Sequence, residues 1–480
     1  MSTTSIESNA VKSNRWYLSA APIVRALVHL CVPMAAGMIV GAVYNVINAG
    51  FIGSQHNTAL LAAITFGTPL LGLVMAVGGV FGVGGSSLIS RLLGASENDV
   101  SKASEIKHVS SFAVWATVVV GAVLGGIGLL LLHPLVTVLG ASTAGGAAVA
   151  ATTSYVAVFL CFTPVLALAF CLEQLVRAEG AARQSMIGLI ASTIGNLVFD
   201  VLFILVLHWG VAGAALSIGL SNLISVAYYA FWLQKHSEHV SLNPRWFALK
   251  SSILKPVFGI GSGELIQSSF LIVTVLVLDN LAAIYGDGPL AAMGVAVRIA
   301  QVPEFLVMGV TIGVLPLLAY SFGKGDHTRL RSALRAAAIT VGGITILFAT
   351  VVFLFRDQVL MLFSNSHSVL AIGVIALTAQ LVAMIANGFT GLITSLFQAT
   401  GKAVPSIVLS MSQGILFIPI VLLGNLWFGL GGIIWSLTVS EVLVFLIGIG
   451  MWLATRKSID RGLAEGSPER AEAALEGAEA

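Results

Sequence analysis

Twelve stretches of this sequence are apolar for long enough to cross a lipid bilayer, and that constrains the fold more than any single motif. They fall near 24–52, 60–90, 108–132, 150–172, 184–207 and 210–233, then near 257–284, 290–321, 333–355, 368–396, 404–424 and 428–453. A hydrocarbon core takes about 20 apolar residues of helix to span. Backbone donors and acceptors find no water there, so each stretch must be a helix rather than an open strand. Charged residues make up only 9% of the chain, against about 25% in soluble domains. Nothing of useful size is left over for a soluble domain.

The basic residues give an orientation. Lys12, Arg15 and Arg25 precede the first segment, and Arg91, Lys102 and Lys107 lie between the second and third. Arg177 and Arg183 follow the fourth, and Lys235, Arg245, Lys250 and Lys255 follow the sixth. Lys324, Arg329, Arg331 and Arg335 follow the eighth, Lys402 the tenth, and Arg456, Lys457, Arg461 and Arg470 the twelfth. The opposite loops hold Arg356 alone. The positive-inside rule therefore places both termini in the cytoplasm. The polar start has no signal-peptide core, so the first spanning helix is expected to direct insertion. The net charge of +2 says nothing about a nucleic-acid partner, but no basic stripe lies outside the loops, and none is expected. Cys31, Cys161 and Cys171 read as buried small hydrophobes rather than a disulfide framework or a metal site.

The two halves repeat. Leu61-Ala62-Ala63-Ile64 matches Leu290-Ala291-Ala292-Met293, and at the same offset Gly84 matches Gly313 and Gly94 matches Gly323. Trp209-Gly210-Val211-Ala212-Gly213 matches Phe428-Gly429-Leu430-Gly431-Gly432. Six segments in each half make this a parallel repeat. The expected fold is all-α integral membrane: twelve transmembrane helices in two pseudo-symmetric six-helix lobes around a central cleft. The expected divisions are a cytoplasmic segment 1–23, a first lobe 24–233, a linker 234–256, a second lobe 257–455, and a polar, mobile cytoplasmic tail 456–480.

Asp200 is a carboxylate inside an apolar segment, with Asn196 one turn earlier on the same helix face. Such a group costs several kcal/mol unless paired, protonated or wet, and it suits a site that binds and releases an ion or proton. A helix–helix clamp is the plainer alternative. Glu264 follows Gly259, Gly261 and Gly263, which thin the seventh segment and leave room for an ion, water or substrate; a packing role stands beside that. Asp279 and Arg298 are expected to form a structural pair in the outer part of a helical hairpin. Glu304 fits a wet cleft or a polar neighbour equally well, and Glu441 a second protonation site or a clamp. Glu173 and Glu179 read as loop contacts to Arg177 or Arg183, worth little each. Tyr44, Phe199, Glu304 and Asn387 are candidate substrate-cleft residues.

These features resemble the MATE (multidrug and toxin extrusion) family of secondary transporters. The resemblance rests on Asn48-Ala49-Gly50-Phe51-Ile52-Gly53, on Gly82 to Gly94, on Arg177-Ala178-Glu179-Gly180, and on Gly210-Val211-Ala212-Gly213-Ala214-Ala215, in order and at family spacing over about 20–455. It implies a two-lobed antiporter exporting amphipathic, cationic compounds against inward H⁺ or Na⁺, with no enzyme chemistry and no cofactor. It also implies cation-coupling roles for Asp200, Asn196, Asn48 and Glu264. Two positions depart from the pattern: Asn48 stands where the family carries Asp, and the hydroxyl of the sixth helix falls at Ile218, with Ser217 beside it. A lone Asp200 among amides suits a proton, since one protonation neutralises it; Na⁺ at Asp200, Asn196 and Asn48 stays open. An acid on the tenth segment is absent; Asn387, Thr390 and Thr394 are its polar face. The partners expected are small amphipathic molecules and the bilayer of a prokaryotic plasma membrane, with the protein a monomer. A lipid-linked oligosaccharide flippase of the same superfold is the competing reading, along with a channel.

Overall fold

The computed structural model describes residues 13–54, 58–139, 146–361 and 367–465. Among them there is no strand. The long helices are α1 (Ile23–Ser54), α2 (Thr58–Ala95), α3 (Ser101–Leu130), α4 (Gly146–Cys161), α5 (Thr163–Ala178), α6 (Ala182–Asp200) and α7 (Gly210–His236). The second half adds α8 (Ser251–Ala283), α9 (Asp287–Lys324), α10 (His327–Leu354), α11 (His367–Ala399), α12 (Ala403–Phe428) and α13 (Leu430–Glu465). Among the described residues eleven helices are long and apolar enough to cross a membrane, and α4 with α5, taken as one broken span, makes a twelfth.

That twelfth span, expected as one segment near 150–172, comes in two pieces. The two pieces bend by 53° at Phe162. Pro164, in the first turn of α5, lacks an N–H and its ring cannot follow a preceding helical turn. Gly121 of α3 lets the bend pack close: a Cβ there would sit 2.8 Å from the Pro164 Cα.

The lobes meet along the half that carries the termini, backbone against backbone. Gly84 of α2 lies on Val257 of α8, and Gly261 of α8 on Val80 of α2. Gly313 of α9 lies on Cys31 of α1, and Gly309 on Ala35. Deepest in the seam, Gly94 meets the Tyr320 carbonyl and Gly323 meets the Arg91 carbonyl. The last two contacts are exchanged by the internal repeat, which carries Arg91 onto Tyr320 and Gly94 onto Gly323. Only glycine permits such approach, because any Cβ would collide with backbone that cannot yield. Continuing the antiparallel register of α1 and α9 outward brings Gly50 opposite Gly294. A Cβ on either would meet nothing within 4 Å. Neither glycine packs on the opposite helix at that level, while on the other seam a Cβ on Gly72 of α2 would still meet Ile272 of α8 at 3.8 Å.

Polar groups close the end that carries the termini. Glu97, just after α2, accepts from Lys324 of the other lobe at 2.5 Å, from the Tyr320 hydroxyl, and faces Arg15 at 3.7 Å. Burial works to raise the Glu97 carboxyl, but the bonds from Lys324 and Tyr320 and the charges of Lys324 and Arg15 hold it below the usual carboxylate range. Arg329 donates to the carbonyls of Tyr17, Leu18 and Ala21 at 2.9, 2.6 and 2.8 Å, tying the N-terminal segment to α10. The 234–256 stretch is strapped across α3 through Ser110 to Ser241, Ser111 to Asn243 and Trp115 to Leu242. Helix α13 runs on to Glu465, past the expected end of the span near 453. Its extension docks through Lys402 on Ser458 and Arg331 on Asp460. Residues 466–480 of the expected mobile tail, and 1–12 of the leading segment, lie outside the described residues.

Two acids differ from the sequence reading. Glu173 pairs with Arg177 as expected, at 2.9 Å, but buried within α5 rather than as a loop contact, and Ser185 donates to it at 3.3 Å. Glu179 pairs with neither arginine; it accepts from the Ser237 hydroxyl of the strap. Burial pushes the Glu179 carboxyl up to about 7, against the pull of Ser237.

Two outcomes follow from this packing. Gly323→Val should cost about 1–3 kcal/mol by overpacking and lower the thermal midpoint of the detergent-purified protein. Gly343→Val, whose Cβ meets nothing within 4 Å, should leave the midpoint near wild type. Glu179 stays protonated in the fold until about 7 but ionises from the ordinary value of 4.5 in the unfolded chain. Its contribution is therefore full in acid and lost as pH rises across that window. Glu179→Gln should flatten the fall in melting temperature between about pH 5 and about pH 8.

Candidate functional site

Helices α1 and α6 run parallel and in register. Gly37 packs on Leu189, and seven residues further along each helix the Tyr44 hydroxyl donates to Asn196 Oδ1. One more turn puts Asn48 and Asp200 at the same level. Helices α6 and α7 run antiparallel in an equally regular register. Tyr229 donates to the Ser185 carbonyl at 2.8 Å, Ser225 to the Gly188 carbonyl at 3.1 Å, and Asn196 Nδ2 to Ser221 Oγ at 3.4 Å. The next rung is Ser217, whose hydroxyl donates to the Gly213 carbonyl at 2.9 Å and lies near the Asp200 carboxylate. The serines recur every fourth residue because one helix face repeats at that spacing. Tyr155 of α4 closes the site from a third side and, with Tyr44, feels the Asp200 charge.

Asp200 and Asn196 are 4% and 5% exposed. Among the described residues no ion pair involves Asp200. The carboxylate lies near a hydroxyl, beside amides and phenols, with no fixed cation paired to it among the described residues. Asn48 Oδ1 is buried and has no hydrogen-bond partner among the described residues. A buried carbonyl oxygen without a donor costs about 1–3 kcal/mol, which a proton-bearing or cationic guest would recover. Just beyond Asp200 the helix widens into a π-turn, Val201–Val206, closed by Leu207 N on Leu202 O at 2.9 Å. Such turns interrupt the regular ladder and are frequent at functional sites. His208, with φ 54°, and Gly210, with φ +56°, complete the reversal into α7.

The sequence candidates divide here. Asp200, Asn196 and Tyr44 come together, with Asn48 at their level. Ile218 faces the apolar packing of the first lobe, and Ser217 lies on the side toward Asp200. Phe199 stacks on Phe203, which stacks on Trp209, ring centroids 5.7 and 5.1 Å apart. Glu264 stands elsewhere, in the seam between lobes. A Cβ on Gly79 would sit 2.7 Å from its Cγ, and it feels the charge of Arg177. Glu304 and Asn387 belong to α9 and α11 of the second lobe. Arg298 is exposed, and the Asp279 side chain lies outside the described residues, so the expected pair has no described counterpart. Tyr155 and Ser221 escaped the sequence reading. The Ser217, Ser221, Ser225 stripe was a visible signal for Ser221; Tyr155 had none.

Known proteins share this architecture. The MatE family model matches residues 33–202 and 260–423. A protein named multidrug export protein MepA from Staphylococcus aureus (strain MRSA252) is 32% identical over 431 residues, covering 90% of this chain and 94% of its own length. The MepA of Staphylococcus haemolyticus (strain JCSC1435) is 31% identical over 448 residues, covering 93% and 97%. Among solved structures, a MATE crystal structure in the bent conformation superposes with a TM-score of 0.85 at 21% identity, covering 94% of this chain and 99% of the other. A multidrug resistance MATE family transporter in an outward-facing conformation superposes at 0.83, with 22% identity and coverage of 95% and 99%.

The Tyr44 to Asn196 bond is open to test. Tyr44→Phe keeps the ring and removes the donor. It should cost about 1 kcal/mol, read as a lower melting temperature, with Asn196 still held by Ser221.

Proposed function

This chain belongs to the MatE family, and on that premise we propose that it is a proton-coupled exporter of amphipathic, cationic compounds, working by alternating access. It is a multi-pass membrane protein; we place it in the inner membrane of a prokaryote, with both termini in the cytoplasm, from the distribution of Lys and Arg. Relatives named as multidrug export proteins support the export reading. The observation that carries the coupling is Asp200: buried, without a cationic partner, and level with the unsatisfied Asn48 carbonyl.

A carboxylate at this depth costs roughly 2.5–3.5 kcal/mol when charged, so protonation and cation binding are competing ways to relieve it. With the cleft open outward, Asp200 takes a proton from outside. Protonated, it becomes a hydrogen-bond donor, and Asn48 Oδ1 is an acceptor without a partner at its level. Its attraction for a cationic drug is gone, and the drug leaves. The glycine seam and the Glu97 contacts with Lys324 and Tyr320 then part as the lobes rock, and the proton is released on the cytoplasmic side. Coupling is reciprocal: the proton weakens drug binding by the factor by which drug weakens proton binding. An inward charge adds about 2.3 kcal/mol per 100 mV of membrane potential.

Na⁺ stays the alternative, with Asp200, Asn196 and Asn48 as its oxygens and the Ser217 hydroxyl near Asp200. Exchanging a H⁺ gradient for a Na⁺ gradient in vesicles separates the two ions. In proteoliposomes, Asp200→Asn should reduce drug-driven proton movement by about tenfold or more. Undiminished coupled export by that variant would overturn the assignment.

A further inference from the structure

The segments that lead into the two lobes cross over the seam. The repeat that carries Gly94 onto Gly323 also carries residues 13–21, ahead of α1, onto residues 242–250, ahead of α8. It carries the start of α3 onto the start of α10 as well. The stretch around 242–250 leads into the second lobe but is bonded to α3 of the first. There Ser110, Ser111 and Trp115 donate to the carbonyls of Ser241, Asn243 and Leu242, and His108 Nδ1 lies 2.8 Å from the Trp246 carbonyl. Residues 13–21 lead into the first lobe but are bonded to α10 of the second, where Arg329 donates to the carbonyls of Tyr17, Leu18 and Ala21. Each strap is thus held by side chains on the third span of the opposite lobe.

The two straps are gripped differently. Four residues of α3 hold the one at 242–250, whereas the three bonds from α10 all come from one guanidinium. Its Nε, Nη1 and Nη2 each donate once, at 2.6, 2.8 and 2.9 Å. Asp326 caps α10 on the Arg329 N–H at 2.8 Å and so fixes where that side chain starts. The segment that it grips includes a six-residue helix, Asn14–Ser19. A helix so short does not hold itself together in water, and its last carbonyls have no partner of their own. Tyr17 and Leu18 carry such carbonyls, so the opposite lobe completes this helix.

On its other side the segment belongs to the first lobe. Leu18 is fully buried, and a Cβ on Gly180, with φ +80°, would sit 3.1 Å from its Cγ. The Tyr17 ring stacks on His29 of α1, centroids 3.7 Å apart, and Arg15 donates to Ser96 Oγ at 3.4 Å. A hydrogen bond is lost beyond about 3.5 Å, so the segment cannot keep both sets of contacts when the lobes separate beneath it.

We propose that residues 13–21 are a releasable strap, bolted by Arg329, that comes free and loses its short helix when the lobes part at the end carrying the termini. The strap at 242–250 stays on the first lobe throughout. The parting rests on the alternating-access reading, but the bolt can be measured without drug or ion gradient.

Hydrogen exchange on the purified protein in lipid nanodiscs reads the strap. Arg329→Gln should raise exchange over residues 14–21 by about tenfold or more and leave 242–250 at the wild-type rate. Arg329→Lys keeps the charge but offers its donors from one nitrogen, and should give a smaller rise. Spin labels at Ser104→Cys and Ser332→Cys, exposed on α3 and α10, read the lobes on a Cys161→Ser background, since Cys31 and Cys171 are buried. Their separation should shift to longer distances in Arg329→Gln. Wild-type exchange over 14–21 in both Arg329 variants overturns the bolt. Raised exchange with an unshifted label distance overturns the release, because the segment is then only an anchored surface piece. Raised exchange and a shifted distance, in a protein that exports no drug, support the strap and overturn the exporter reading instead.

Discussion

Lipid offers a polar group nothing, and this molecule is arranged around that fact. Every donor and acceptor at membrane depth must be met by another part of the same chain. Most are met by the helices themselves and by hydroxyls folding back onto their own turns, as Thr345 does on Val341. The few side chains that escape local satisfaction are therefore informative. Asp200 and Asn48 sit where helices from different parts of the sequence converge, and Asn48 and Glu441 each retain a buried oxygen without a donor among the described residues.

Close helix packing turns those residues into a site. The ladder from Tyr229 to Ser217 holds α6 and α7 at one register, and the Gly37 and Tyr44 contacts hold α1 against α6. Asp200 gains its surroundings at the top of the ladder. Below, the glycine contacts between α2, α8, α1 and α9 let two lobes touch without side chains intervening. A seam of this kind buries little that is specific, so it can part and re-form; the Glu97 network adds polar contacts that water can replace when it opens.

Much of this was legible beforehand. Spans follow from hydropathy, and the equivalence of Gly84 with Gly313 and Gly94 with Gly323 from the repeat; all four prove to be seam residues. Asp200 and Asn196 stand out as polar residues one turn apart in an apolar run. Other features had no local signature. Ser217 and Ile218 are neighbours, and only the rotation of α7 decides which one faces a carboxylate. Glu264 and Glu304 look alike in sequence, yet one reaches across the seam and the other stays on a helix of the second lobe.

The linear order of residues thus determined that the chain crosses a membrane about twelve times, that it does so as two related halves, and that a handful of acids must be accommodated at depth. These are properties of each segment's exchange between water and lipid, and they need no knowledge of neighbours. Which acid meets a hydroxyl, an amide or an arginine was decided only by tertiary structure. Helix rotation and register arise from packing between segments up to a few hundred residues apart, and periodicity within one helix carries no record of what lies against it.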